Sequence, residues 1–65
     1  MKNTILDLIT KNHPNFVLNT QTKITSISRY CFLDQCFETK KTFTDQNGYE
    51  LKFFKLDIND FWYEV

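Results

Sequence analysis

Thr42-Phe43-Thr44-Asp45-Gln46-Asn47-Gly48-Tyr49-Glu50-Leu51-Lys52-Phe53-Phe54-Lys55-Leu56-Asp57 is the stretch that decides the fold. It reads as a β-hairpin with two competing registers. A two-residue Asn47-Gly48 loop sets Asp45 against Glu50 and Phe43 against Lys52. A three-residue Gln46-Asn47-Gly48 loop sets Asp45 against Tyr49, Phe43 against Leu51 and Thr42 against Lys52. The second register avoids the like-charge pair. It also places Asp at the first position of a type I turn and Gly at the fourth, where a left-handed residue makes a bulge. Phe43, Tyr49, Leu51 and Phe53 then share one face, and Lys40, Lys52 and Phe54 fall on the other, with Lys40 opposite Phe54. A slip of one residue would change every opposing partner, so the turn selects the core face.

Working toward the N-terminus, residues 36–44 fit a half-buried strand, because Phe37 and Phe43 share a parity. Residues 23–33 are rich in β-formers and contain neither Gly nor Pro. A tight turn at Asp34-Gln35 would set Phe32 against Phe37; without it, residues 23–44 form one long bent strand. Residues 4–12 predict a short helix. Thr4 caps it, Asp7 suits its positive end, and Ile5, Leu6, Leu8 and Ile9 form its apolar face. Asn12-His13-Pro14 ends it, because the residue before Pro is pushed out of the α region. Phe16-Val17-Leu18 is read as a short strand or connection, and residues 19–22 as a loop. The expected fold is α+β: a short N-terminal helix on a three- to four-stranded antiparallel β-meander, with a small barrel-like all-β sheet as the alternative. The expected core is Ile5, Leu6, Ile9, Tyr30, Phe32, Phe37, Phe43, Leu51 and Phe53.

Length sets a demand on that core. The chain has 65 residues, which points to a single domain over 1–65. A domain of this size buries only about 60% of its unfolded surface. Its eleven aromatic residues supply the needed density. Formal net charge is zero, so no global field points to nucleic acid or membrane. The charge is uneven, however: residues 1–56 hold all eight cations against five acids, and residues 57–65 hold three acids and no cation. There is no Ala, and Lys, Asn, Ile and Phe are frequent, a composition expected of A/T-rich coding and hence of a low-GC bacterium, a phage or a mobile element. No stretch reads as a signal peptide, and none approaches the roughly 20 apolar residues of a membrane span. Two cysteines without a secretory signal imply free thiols and a cytoplasmic setting.

Catalytic and metal chemistry find little support. Cys31 and Cys36 with His13 fall short of a four-ligand zinc site, and no cofactor motif is present. His13 reads as a helix-end residue rather than a base for Cys31. Asp57, Asp60 and Glu64 lack the two rigid walls that a carboxylate pair needs in so short a chain. The expectation is therefore a non-enzymatic protein-binding module, a small inhibitor or regulator acting on a larger protein. Its candidate partner-binding residues are Asp57, Asp60, Phe61, Trp62, Tyr63 and Glu64, with the sheet edge as a second route. Self-association into a homodimer is expected from the small core. The alternative function is single-stranded DNA or RNA binding through Lys40, Lys52 and Phe54, since aromatics flanked by cations on a sheet stack and steer bases. Glu38 and Glu50 on that same face weigh against it.

Overall fold

The computed structural model describes residues 3–65, which form one short helix and an open four-stranded antiparallel sheet, an α+β arrangement. The elements are α1 (Ile5–Asn12), β1 (Lys23–Cys31), β2 (Cys36–Thr44), β3 (Glu50–Leu56) and β4 (Tyr63–Glu64), and the strands lie side by side in chain order.

The decisive hairpin adopts the three-residue loop. The Asp45 N–H donates to the Tyr49 carbonyl at 3.0 Å and the Gly48 N–H to the Asp45 carbonyl at 3.1 Å. Gly48 has φ +86°, the left-handed conformation that a side chain would strain. Phe43 faces Leu51, Thr42 faces Lys52 and Lys40 faces Phe54, as the register argument requires. Asp45 holds the turn shut. Its Oδ1 accepts from the backbone N–H groups of Asn47 and Tyr49, both at 2.9 Å, and its Oδ2 accepts from that of Val17 at 3.5 Å. The side chain is buried and accepts from three backbone donors, so removing it takes those bonds away together. Asp45→Ala is expected to cost about 2 kcal/mol of stability, read as a lowered urea midpoint at unchanged slope.

Helix α1 begins where the sequence predicts. The Thr4 hydroxyl accepts from the Asp7 N–H at 3.1 Å, and Asp7 and Lys11 stand at the helix ends that their charges favour. Ile5 and Ile9 point down onto Phe43 and Phe53 and form the core with them; Leu8, Phe16, Leu51 and Trp62 pack around it. Phe43 and Phe53 meet edge to face at 5.8 Å.

Two features depart from expectation. Residues 32–35 form a four-residue loop rather than a tight Asp34-Gln35 turn, so Tyr30, not Phe32, faces Phe37, and Cys31 faces Cys36. Gln35 takes the left-handed conformation at φ +54°. Leu6, Tyr30, Phe32 and Phe37, expected in the core, are exposed; Phe32 is 85% accessible. An eight-residue helix is about 12 Å long and covers only the Phe43 end of strands that run about 30 Å. Tyr30, Phe32 and Phe37 lie beyond its footprint and pack on each other instead, with ring centroids 5.1 and 5.5 Å apart. Residues 16–18, read as a short strand or a connection, form the connection.

Candidate functional site

The register divides the sheet into two faces. One carries the helix. Among the described residues no helix or strand packs on the other, and its residues fall into cross-strand rows. Ile27, Lys40, Phe54 and Tyr63 make one row through all four strands. Arg29, Glu38 and Leu56 make the row on one side of it, and Thr25, Thr42 and Lys52 the row on the other. Val65 extends the latter, its N–H donating to the Lys52 carbonyl at 2.9 Å. Phe61 stands beside Tyr63 with ring centroids 5.1 Å apart. The last segment of the chain and the outer side of the decisive hairpin therefore share a single surface.

That surface is aromatic and apolar with restrained charge. Ile27 is 66% accessible, Tyr63 50% and Val65 78%, while Phe54 and Phe61 are half-buried. Arg29 Nε donates to Glu38 Oε1 at 2.6 Å, and the Glu38 carboxylate is buried beneath it. The hydrogen bond and charge of Glu38 hold the Arg29 guanidinium above its ordinary pKa. Lys52 reaches Glu50 at 3.5 Å. Lys40 has no acidic partner among the described residues. A depression of about 260 Å³ lies among Thr25, Ile27, Lys40, Thr42, Lys52, Phe53 and Val65.

The six C-terminal candidates separate into two sets. Trp62 turns to the helix side, where it packs against the core with the ammonium groups of Lys41 and Lys55 at 5.7 and 5.2 Å from its ring. Its backbone is held at both polar groups by Asn3: the Trp62 N–H donates to Oδ1 at 2.7 Å and the Trp62 carbonyl accepts from Nδ2 at 2.9 Å. The acids are engaged within the chain. Asp57 lies 3.3 Å from the Thr39 hydroxyl, Asp60 accepts from Lys55 at 3.2 Å, and Glu64 meets His13 at 2.5 Å. Phe61 and Tyr63 are the members of the set on the open face. Sequence reasoning missed Asn3 entirely; an Asn ahead of the Thr4 cap carries no sign that it will bind a residue 59 positions away.

The thiols occupy a different place. Cys31 and Cys36 are register partners at the mouth of the first hairpin, and both are free. Burial, aided by the Asp34 charge, pushes the Cys36 thiol up, which keeps it protonated and poorly nucleophilic at neutral pH. Cys31 Sγ donates to Asp34 Oδ2 at 3.4 Å. His13 engages Glu64 and not a thiol. Among the described residues no group of three or more His, Cys, Asp or Glu side chains is placed to hold a metal ion.

A second uncovered surface runs along β1, whose residues are exposed throughout except for half-buried Cys31. Beside it a mostly apolar groove of about 520 Å³ opens between strand and helix, lined by Ile5, Leu6, Ile9, Leu18, Ile24 and Phe43 together with the polar Asn19 and Thr20. Among the described residues, no helix is long and apolar enough to cross a membrane. No family model, curated protein or solved structure matches this chain.

Proposed function

We propose that the chain is a non-enzymatic protein-binding module, a cytoplasmic inhibitor or regulator of phage or mobile-element type, that docks on a larger protein through the open face of its sheet. The observation carrying this reading is the Ile27-Lys40-Phe54-Tyr63 row with Phe61 alongside: large apolar side chains about one lysine, on a face that no helix or strand covers among the described residues. Contiguous exposed apolar surface of this kind marks interaction sites, and Tyr and Arg are enriched among the side chains that dominate binding energy. The two paired cations give the face polar points that fix orientation, and Lys40 supplies a charge for an acid on the partner.

The test is capture from host lysate with the immobilised protein, repeated with Tyr63→Ala. Tyr63 is half exposed, so the variant is expected to fold, and its capture of the specific partner should fall at least about tenfold. Undiminished capture by a folded Tyr63→Ala protein would refute the outer-face reading.

Lys40 between Ile27 and Phe54 also favours a second reading, binding of single-stranded DNA or RNA on the same face. It requires anisotropy changes with a labelled mixed oligonucleotide at low salt, lost on raising salt and in Lys40→Glu. Absence of any signal at low salt would end it.

A further inference from the structure

The open edge of β1 has a pattern that fits a second copy of itself. In β2, the Asp45 N–H just past the strand and the Phe37 carbonyl both address the β3 side, so odd positions face β3 and even positions face β1. Through the register, odd positions of β1 bond to β2. Ile24, Ser26, Ser28 and Tyr30 therefore turn their N–H and C=O groups to the free edge. An edge of nine residues without Pro, bulge or acidic side chain is an open template for strand addition.

We propose that two copies pair antiparallel through β1 about a two-fold axis at Ile27, forming a continuous eight-stranded sheet. In this register Ile24 lies opposite the second copy's Tyr30 and Ser26 opposite its Ser28, so all four outward residues form bonded pairs. Shifting by two residues in either direction leaves one of the four unpaired. Directly opposite positions carry no like-charge pair: Arg29 falls opposite Thr25 and Lys23 opposite Cys31, and where Arg29 lies diagonal to the second copy's Lys23 its charge is already met by Glu38.

The side chains are complementary in the same sense. On the helix face, each copy carries an apolar groove at the Ile24 end of β1 and an uncovered aromatic cluster, Tyr30 with Phe32 and Phe37, at the other. Antiparallel pairing brings the Tyr30 end of one copy to the groove of the other, twice by symmetry. The residues that the short helix leaves bare are then covered. The area is adequate. A strand about 30 Å long and a sheet-plus-helix depth of about 20 Å give roughly 600 Å² per copy, or about 1,200 Å² in total, the lower end of stable interfaces. This pairing uses the edge and the helix face, so it does not depend on what binds the outer face.

Sedimentation equilibrium over a concentration series tests it with two variants. Ser26→Pro removes only an outward N–H and spares the bonds to β2. Tyr30→Lys replaces an exposed ring with a cation aimed at the groove. The unmodified protein should approach twice 7.9 kDa, and each variant should raise the dissociation constant at least about tenfold while keeping its circular dichroism. If Ser26→Pro does not fold, Tyr30→Lys decides alone. A mass of 7.9 kDa at millimolar concentration, or unchanged dimerisation in a folded Tyr30→Lys protein, would overturn the proposal.

Discussion

Phe53→Ala is expected to remove a large share of the stability of the fold. Phe53 is the largest side chain with no accessible surface, and it stands where both layers meet. Ile5 and Ile9 press on it from α1, and Phe43 meets it edge to face within the sheet. Truncation removes its transfer free energy and leaves a cavity that an eight-residue helix is poorly placed to close, a combined cost of about 3 to 5 kcal/mol. Marginal stability of about 0.05 to 0.15 kcal/mol per residue gives a chain of this length about 3 to 10 kcal/mol in all. The thermal midpoint should fall by about 15 °C or more. Phe53→Leu, which retains most of the buried surface, should recover more than half of the loss. A Phe53→Ala protein with a midpoint within about 5 °C of the parent would show that the core lies elsewhere.

What made Phe53 legible was the turn. Asp45 and Gly48 admit one loop length without a like-charge clash, and that loop fixes the parity of every residue from Lys40 to Leu56. The helix was legible for a similar local reason, a capping Thr followed by four apolar residues. Lys40, Lys52 and Phe54 were correctly placed on the open face because face assignment needs only parity. The aromatics at the far end were not legible. Tyr30, Phe32 and Phe37 have the composition of a core, but burial depends on what covers them, and a helix ending at Asn12 does not reach. The loop at residues 32–35 was misread for want of a glycine: Gln35 adopts the left-handed conformation that sequence reasoning reserves for Gly or Asn. The edge of β1 was missed because exposure along one side of a strand leaves no trace in a two-residue period.

These gaps bear on the two proposed surfaces. The proposed pairing through β1 would cover the Tyr30 cluster and the groove with one symmetry operation. Pairing through β1 would also join two outer faces edge to edge, with the two Ile27 side chains adjacent at the axis. A partner with two-fold or repeated structure would then meet both faces together and gain from the high effective concentration of the second.

Trp62→Ala is expected to separate the part of the C-terminal segment that holds the fold from the part that is displayed. Among Phe61, Trp62 and Tyr63, the alternation of an extended chain forces neighbours to opposite faces. Trp62 takes the helix side and closes the core between Lys41 and Lys55, while Asn3 grips its backbone from the other end of the chain. Loss of the indole removes packing against the buried cluster, and both cation–π contacts, each worth about 0.5 to 1 kcal/mol at such exposure. The total should be about 3 kcal/mol, with β4 released from β3 before global unfolding. Hydrogen exchange reads this directly: the Val65 amide, bonded to the Lys52 carbonyl, should lose protection first. Tyr63→Ala, one residue away, should change stability by less than about 1 kcal/mol, because its ring lies on the open face. If instead Trp62→Ala is stable and Tyr63→Ala unfolds, the faces of β4 are reversed, and the outer surface must be redrawn around Trp62.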